Sequence, residues 1–249
     1  MVLLKSFRSS IAHALTCFTG YNELILLLLE HNAPFDTPDR EGRLPLHRVC
    51  EQLHEQCLVT LLRAAKTTTY SASFKTRDKG IEAHSCGLTP FQALFKYGIA
   101  QCHSQEALER LKRMARALVK AGANASARDK SGRTALHMLA SAKEVGNAAA
   151  EACLLLINEY NLSTVEKDST GFIPLHCAAA AGHVAAIDVL SRDIARTSAS
   201  SDTAVIEWKT NDGKTALHLA AANGKLTALQ KLVSLGTPLQ CIEVFDVAK

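Results

Sequence analysis

Apolar positions along this chain come in short bursts separated by turns. In "KTALHLAAANGKLTALQKLVSLGTPL", Lys214 to Leu239, Leu and Ala recur at helical spacing, stop at Asn223-Gly224 and resume at Leu226. The pattern predicts two short helices joined by a turn. His218 sits inside the first burst, so it is either a reactive group or a structural one. The burst recurs as "GRLPLHRVC" from Gly42, "GLTPFQALF" from Gly87, "GRTALHMLA" from Gly132, "GFIPLHCAA" from Gly171 and "GKTALHLAA" from Gly213. The glycines stand 45, 45, 39 and 42 residues apart. A turn, a second apolar stretch and a polar loop follow each one.

Each residue type in the unit has a physical task. Gly lets the chain enter the helix through φ > 0. Thr is a favoured N-cap, with Pro or a helix former next. Thr89-Pro90, Thr134-Ala135 and Thr215-Ala216 fit this, whereas Leu44-Pro45 and Ile173-Pro174 keep Pro and lose the hydroxyl. Each missing cap is expected to cost about 1 kcal/mol, leaving those two units dependent on their neighbours. Small residues such as Ala178, Ala179, Ala220 and Ala221 allow helices to approach closely.

The repeated signature resembles that of the ankyrin-repeat family, whose unit of about 33 residues carries T-P-L-H-x-A. "GYNELILLLLEHNAP" (Gly20 to Pro34), "LVKAGAN" (Leu118 to Asn124) and "AGHVAAIDVL" (Ala181 to Leu190) are similar to the family's second-helix motif. Aligning Gly20 with Gly182 and Gly224 places a degenerate first signature near Ser9. The resemblance then covers nearly the whole chain, as one domain over residues 1–249 with units near 9–41, 42–86, 87–131, 132–170, 171–212 and 213–249. It implies an all-α solenoid of about six helix-turn-helix units with finger loops, two of them enlarged.

The surplus residues fall in particular places. The fingers Lys66 to Cys86 and Ala195 to Asp212 are long, and the second carries Trp208, the single Trp of the chain. In the third unit the surplus reads as a lengthened second helix, Ser104 to Gly122. Leu108, Leu111, Ala115 and Leu118 share one face; Arg110, Arg113, Arg116 and Lys120 make a basic solvent face suited to an acidic partner. Ser141 to Ala152 widens the turn of the fourth unit.

Composition agrees with helices packed through small side chains: 47% of residues are hydrophobic and only 5% aromatic. The net charge of +4 does not by itself argue for nucleic acid, and neither aromatic stacking nor a recognised reading module accompanies the basic face. Eight cysteines without a C-x-x-C pair read as thiols in a reducing compartment. No apolar run exceeds six residues, against about 20 for a membrane span. The expected location is therefore cytoplasmic; the alternative is mitochondrial, because the first 22 residues hold Lys5 and Arg8 and no acid, like a transit peptide.

Candidate chemistry is sparse. His47, His137, His176 and His218 occupy one repeated position, which argues for a structural hydrogen bond in each unit rather than catalysis. Gln92 takes that position in the third unit and can also donate and accept. His47, Cys50, His54 and Cys57 have zinc-like spacing, but the repeat register puts a turn near Leu53; His84, Cys86, Cys102 and His103 are treated alike. We therefore expect no metal and no cofactor. Nucleophile elbows, P-loops and H-E-x-x-H are absent from the sequence, which argues against an enzyme.

The expected function is a non-catalytic protein-interaction module or scaffold, binding a partner protein through finger tips and, as the resemblance implies, a concave groove. The candidate contacts are Arg40, Arg43, Phe74, Lys75, Arg77, Arg128, Lys130, Arg133, Trp208 and Lys209. Two alternatives stay open: a structural subunit of a large ribonucleoprotein or cytoskeletal assembly, and a regulatory segment of a longer enzyme. The first unit's apolar second helix, Leu24 to Leu29, needs cover from Met1 to Phe7 or from outside the chain.

Overall fold

The structure is a computed structural model and describes residues 19–31, 33, 38–39, 41–67, 87–142, 148–197 and 208–235. Eleven α-helices lie among them, with no strand. The chain forms two compact units, Met1–Lys130 and Ser131–Lys249.

The N-terminal unit holds α1 (Asn22–Glu30), α2 (Pro45–Glu51), α3 (Glu55–Thr67), α4 (Pro90–Lys96), a 3-10 turn (Gly98–Gln101) and α5 (Gln105–Lys120). One layer is α1, α3 and α5 packed in sequence; the other is α2 against α4. The C-terminal unit repeats the scheme with α6 (Ala135–Ala140), α7 (Ala148–Asn158), α8 (Pro174–Ala181), α9 (Val184–Thr197), α10 (Ala216–Ala222) and α11 (Leu226–Ser234). There α6, α8 and α10 form one layer and α7, α9 and α11 the other. The first core buries Leu58, Leu61, Leu94 and Leu111 around the packed rings of Phe91 and Phe95, and the second buries Leu136, Leu156, Leu175 and Leu190. Short alanine-rich helices bring their backbones close, and the two layers bury together what neither buries alone.

The signature glycines behave as their position demands. Gly42, Gly87, Gly132, Gly171 and Gly213 all have φ between 70° and 79°, a region costly for a side chain. At Gly171 a Cβ would also sit 2.4 Å from Asn211 Oδ1 and 2.7 Å from Asn211 N, so the next finger occupies the vacated space.

The cap expectation needs correction. Thr89 caps as expected, its hydroxyl accepting from Gln92 N–H at 3.2 Å. In Thr134 and Thr215 the hydroxyl's close partner is instead the signature imidazole, at 3.0 Å from His137 Nδ1 and 2.7 Å from His218 Nδ1. Leu44 and Ile173, which have no hydroxyl, are not left open. Their own backbone N–H groups donate to His47 Nδ1 and His176 Nδ1, each at 3.1 Å. The amide of the histidine folds back to the cap carbonyl at 2.9 Å in both, a 3-10 first turn that uses a donor otherwise orphaned.

The lengthened helix of the third unit is α5, capped by Ser104, whose hydroxyl accepts from Ala107 N–H at 3.2 Å. Leu108, Leu111, Ala115 and Leu118 are buried as their spacing required, and Met114 joins them. Ahead of that segment, Gly98–Gln101 form the 3-10 turn. A Cβ on Gly98 would meet Cys50 O at 2.6 Å, so the turn lies directly on α2. The expected starting point near Ser9, most of the enlarged finger Lys66 to Cys86, the centre of the finger Ala195 to Asp212 and the centre of Ser141 to Ala152 lie outside the described residues.

Candidate functional site

The signature histidines are fully employed where both sides of the ring are described. The Nε2–H of His47 donates to Leu88 O at 2.8 Å, that of His137 to Phe172 O at 3.0 Å and that of His176 to Trp208 O at 2.8 Å. Each acceptor belongs to the next finger. Meanwhile Nδ1 accepts the N–H of the residue capping the ring's own helix, at 3.1–3.3 Å in all four, His218 included. In His47, His137 and His176 that pair of bonds, Nδ1 accepting and Nε2 donating, selects the tautomer with the proton on Nε2. Burial holds His176 below its ordinary value, against the opposing bond to Trp208. Gln92 reproduces both bonds with an amide: Thr89 N–H donates to Oε1 at 2.9 Å, and Nε2 donates to Ala127 O at 2.9 Å. A residue that cannot titrate makes the same pair of bonds, so joining the helix start to the next finger does not need a titrating group.

The zinc-like set is divided by the backbone. Leu53 adopts φ 55° between α2 and α3, so His47 and Cys50 lie on one helix while His54 and Cys57 lie beyond the turn. No group of three or more metal-ligating side chains is gathered among the described residues. His84 and Cys86 lie outside those residues. Burial pushes the Cys102 thiol up to about 11 and those of Cys153 and Cys177 up to about 12. At neutral pH these sulfurs are protonated and poor nucleophiles.

The fingers are shaped by residues that sequence reasoning passed over. Asp39 Oδ1 accepts from Glu41 N–H at 2.9 Å and Arg43 N–H at 2.8 Å. Asp168 Oδ1 accepts from Thr170 N–H at 2.8 Å and Phe172 N–H at 2.9 Å. Both stand three residues before a signature glycine, as do Asp129 and Thr210. That recurrence, D-x-x-G at Asp39, Asp129 and Asp168 and T-x-x-G at Thr210, was the available signal. Successive fingers of the C-terminal unit are laced by backbone bonds, Ser169 N–H to Ser131 O at 2.9 Å and Asn211 N–H to Thr170 O at 3.1 Å.

On this frame the candidate contacts separate. In the N-terminal unit Arg128 and Lys130 are exposed, and the Lys130 stem lies against Gly87, its Cγ 2.8 Å from where a Cβ would stand. Arg43 corrects the expectation of an exposed finger cation. Its side chain is 14% exposed, and it joins Asp39, Glu41, Arg48 and the buried Glu51 in an ion-pair cluster. Burial raises Asp39, but the Arg43 amide and the Arg48 guanidinium hold it below its usual range. In the C-terminal unit Arg133 is half-buried, Lys209 is exposed and Trp208 is half-buried. The Lys167 ammonium stands 5.9 Å from the Trp208 ring centroid, a cation–π contact that sequence alone did not show. Lys167, Lys209 and Arg128 share one register, four residues before their glycines, and all three are exposed. Arg40, Phe74, Lys75 and Arg77 lie outside the described residues.

The basic face of α5 is more committed than its sequence implied. Arg113 forms a two-bond pair with Glu55 of α3, both at 2.7 Å, which holds Glu55 below its ordinary value. Arg110 meets Glu106 at 3.4 Å. Arg116 and Lys120 are exposed towards its C-terminal end.

The family profile described as ankyrin repeats (3 copies) matches residues 102–201 and 145–241, over half the chain; ankyrin repeats (many copies) matches residues 11–62. The chain belongs to the ankyrin-repeat family. Ankyrin repeats are protein-interaction modules, and the family is generally non-catalytic. Rabankyrin-5 of Mus musculus is 26% identical over 191 residues, 76% of this chain. The chain spans only 14% of that relative's length. Among solved structures, a chain from the complex of a Bdellovibrio bacteriovorus predatory endopeptidase with its immunity protein superimposes with a TM-score of 0.60. It covers 91% of this ankyrin chain and 98% of its own, at 20% identity, a likeness of fold. No helix among the described residues is long and apolar enough to cross a membrane.

Proposed function

We propose that this ankyrin-repeat chain is a non-catalytic, cytoplasmic binding module that takes a partner protein on its finger tips. The observation that carries this reading is the ladder of histidine and glutamine bonds. Each ties a helix start to the next finger, so exposed finger side chains are held in place before a partner arrives. Preorganisation of this kind limits the entropy lost on binding. The residues assigned to contact are Arg128 and Lys130 in the N-terminal unit and Arg133, Trp208 and Lys209 in the C-terminal unit, with Arg40, Phe74, Lys75 and Arg77 on the remaining fingers. Arg43 is removed from this set, because its guanidinium serves the cluster around Glu51. Arg116 and Lys120 are a second, smaller cationic surface. The binding domain comprises six units, near 9–41, 42–86, 87–131, 132–170, 171–212 and 213–249.

The test is capture of partners from native cell extract by the full chain and by a variant combining Arg128→Glu, Lys130→Glu and Trp208→Ala. Loss of the partners that the parent enriches, at unchanged helicity, supports the finger surface. Retention of the full set refutes it.

A further inference from the structure

Two neighbouring fingers of the C-terminal unit, residues 163–173 and 208–214, turn their cations outward. Lys167, Lys209 and Lys214 are exposed, against a single exposed acid, Asp212. The other two acids of these fingers, Glu166 and Asp168, are half-buried. Asp168 is spent within its own turn: besides the two amides described above, its Oδ1 accepts from the Thr170 hydroxyl at 2.7 Å. The second finger is clamped at several points. His176 holds the Trp208 carbonyl. Thr210 N–H donates to Lys214 O at 2.9 Å, and Lys214 N–H donates back to Thr210 Oγ1 at 3.2 Å. Asn211 ties this finger to the preceding one through its amide and through its side chain, which donates to Ser169 O at 3.1 Å.

Lys209 stands at the register of Lys167, one finger on. Lys167 reaches over to that finger, where its ammonium stands over the ring of Trp208, the residue beside Lys209 in the chain. A ring quadrupole attracts a cation without neutralising it, so a carboxylate can still bind the same ammonium from the solvent side. The half-buried indole is a rigid apolar platform of the kind that dominates binding hot spots. We infer that these two fingers take an acidic peptide segment of the partner, with carboxylates on Lys167 and Lys209 and an apolar side chain against Trp208. This rests on the finger reading above and adds the chemistry of the partner. It also brings Lys167 into the contact set. A basic segment is rejected, because it would set like charges against each other.

Trp208 is the single Trp of the chain, so the intrinsic Trp fluorescence of the full chain reports on this site alone. The probe is a short synthetic peptide of glutamates around one leucine. Its titration should shift the emission to saturation, while the same peptide with glutamine for glutamate should leave the emission unchanged. Salt at about 1 M, where the screening length is about 3 Å, should weaken the glutamate peptide about tenfold. Lys167→Glu with Lys209→Glu, both at exposed positions, should weaken it at least about tenfold, and the matching lysine peptide should then bind that variant better than it binds the parent. No response of the parent to the glutamate peptide, or an equal response to the glutamine peptide, overturns the acidic segment; neither measurement depends on a variant folding. Failure here is separable from failure of the finger reading. If cell partners are lost on combining Arg128→Glu, Lys130→Glu and Trp208→Ala while the glutamate peptide gives no response, the fingers stand as the surface and the acidic chemistry is rejected.

Discussion

His176 bonds with both ring nitrogens, which makes the outcome of replacing it specific. His176→Gln should stay within about 1 kcal/mol of the parent, because Gln92 already makes the equivalent pair of bonds; His176→Leu should cost about 2–4 kcal/mol, since it strands the Ile173 N–H and the Trp208 carbonyl. Urea denaturation of both variants checks this. Acid sensitivity follows from the same geometry. The unfolded chain protonates this ring at its ordinary 6.5, and the folded chain does so only at lower pH, chiefly because of burial. Lys167 and His137 reinforce the depression, and Asp168 opposes it. Between the two values the unfolded state holds more protons, so stability falls as pH drops below 6.5 and levels off below the folded value. Urea midpoints measured through that range should show the loss in the parent and less of it in His176→Gln. The structural role of this histidine was legible because the residue repeats in register. The roles of Asp39 and Asp168 were not, because a lone carboxylate in a polar loop looks like a solubilising charge until its spacing to glycine is compared across units. Nor did the sequence show that the hydroxyls of Thr134 and Thr215 turn to the imidazole, a choice set by local geometry.

At the level of elements, α5 shows where sequence reading succeeds and where it stops. Its buried stripe follows from the 3.6-residue period, and Ser104 marks its start. What Arg113 does there was hidden, since its partner Glu55 is 58 residues away. Glu55→Gln and Arg113→Gln, with the double variant, should give a small favourable coupling that shrinks in high salt, because both groups are near solvent. The depressed Glu55 places its contribution above the unfolded carboxylate value of 4.5, lost as pH falls through the folded value. The 3-10 turn gives a sharper expectation. Gly98→Ala brings a methyl against the Cys50 carbonyl and should cost about 1–3 kcal/mol by overpacking the α2 side of the turn. Thermal denaturation of that single variant measures it. The turn was not legible, because an extra apolar "YGIA" between helices fits either a loop or a helix extension.

For the whole molecule, an all-α ankyrin fold was readable because five signatures in order leave few other solutions, and the family match agrees. The binding surface was less readable. Sequence identifies a finger but not which of its cations the fold uses internally, and Arg43 and Trp208 illustrate the two results. One is absorbed into an ion-pair cluster; the other stays half-exposed under Lys167. The claim at this scale is that partners meet the fingers rather than the α5 face. The most direct measurement is hydrogen exchange on the full chain, alone and in complex with a partner purified from native cells. The account predicts added protection at residues 128–133 and 208–213, with exchange in α5 unchanged. Protection confined to α5, with those fingers exchanging as in the isolated chain, would contradict it.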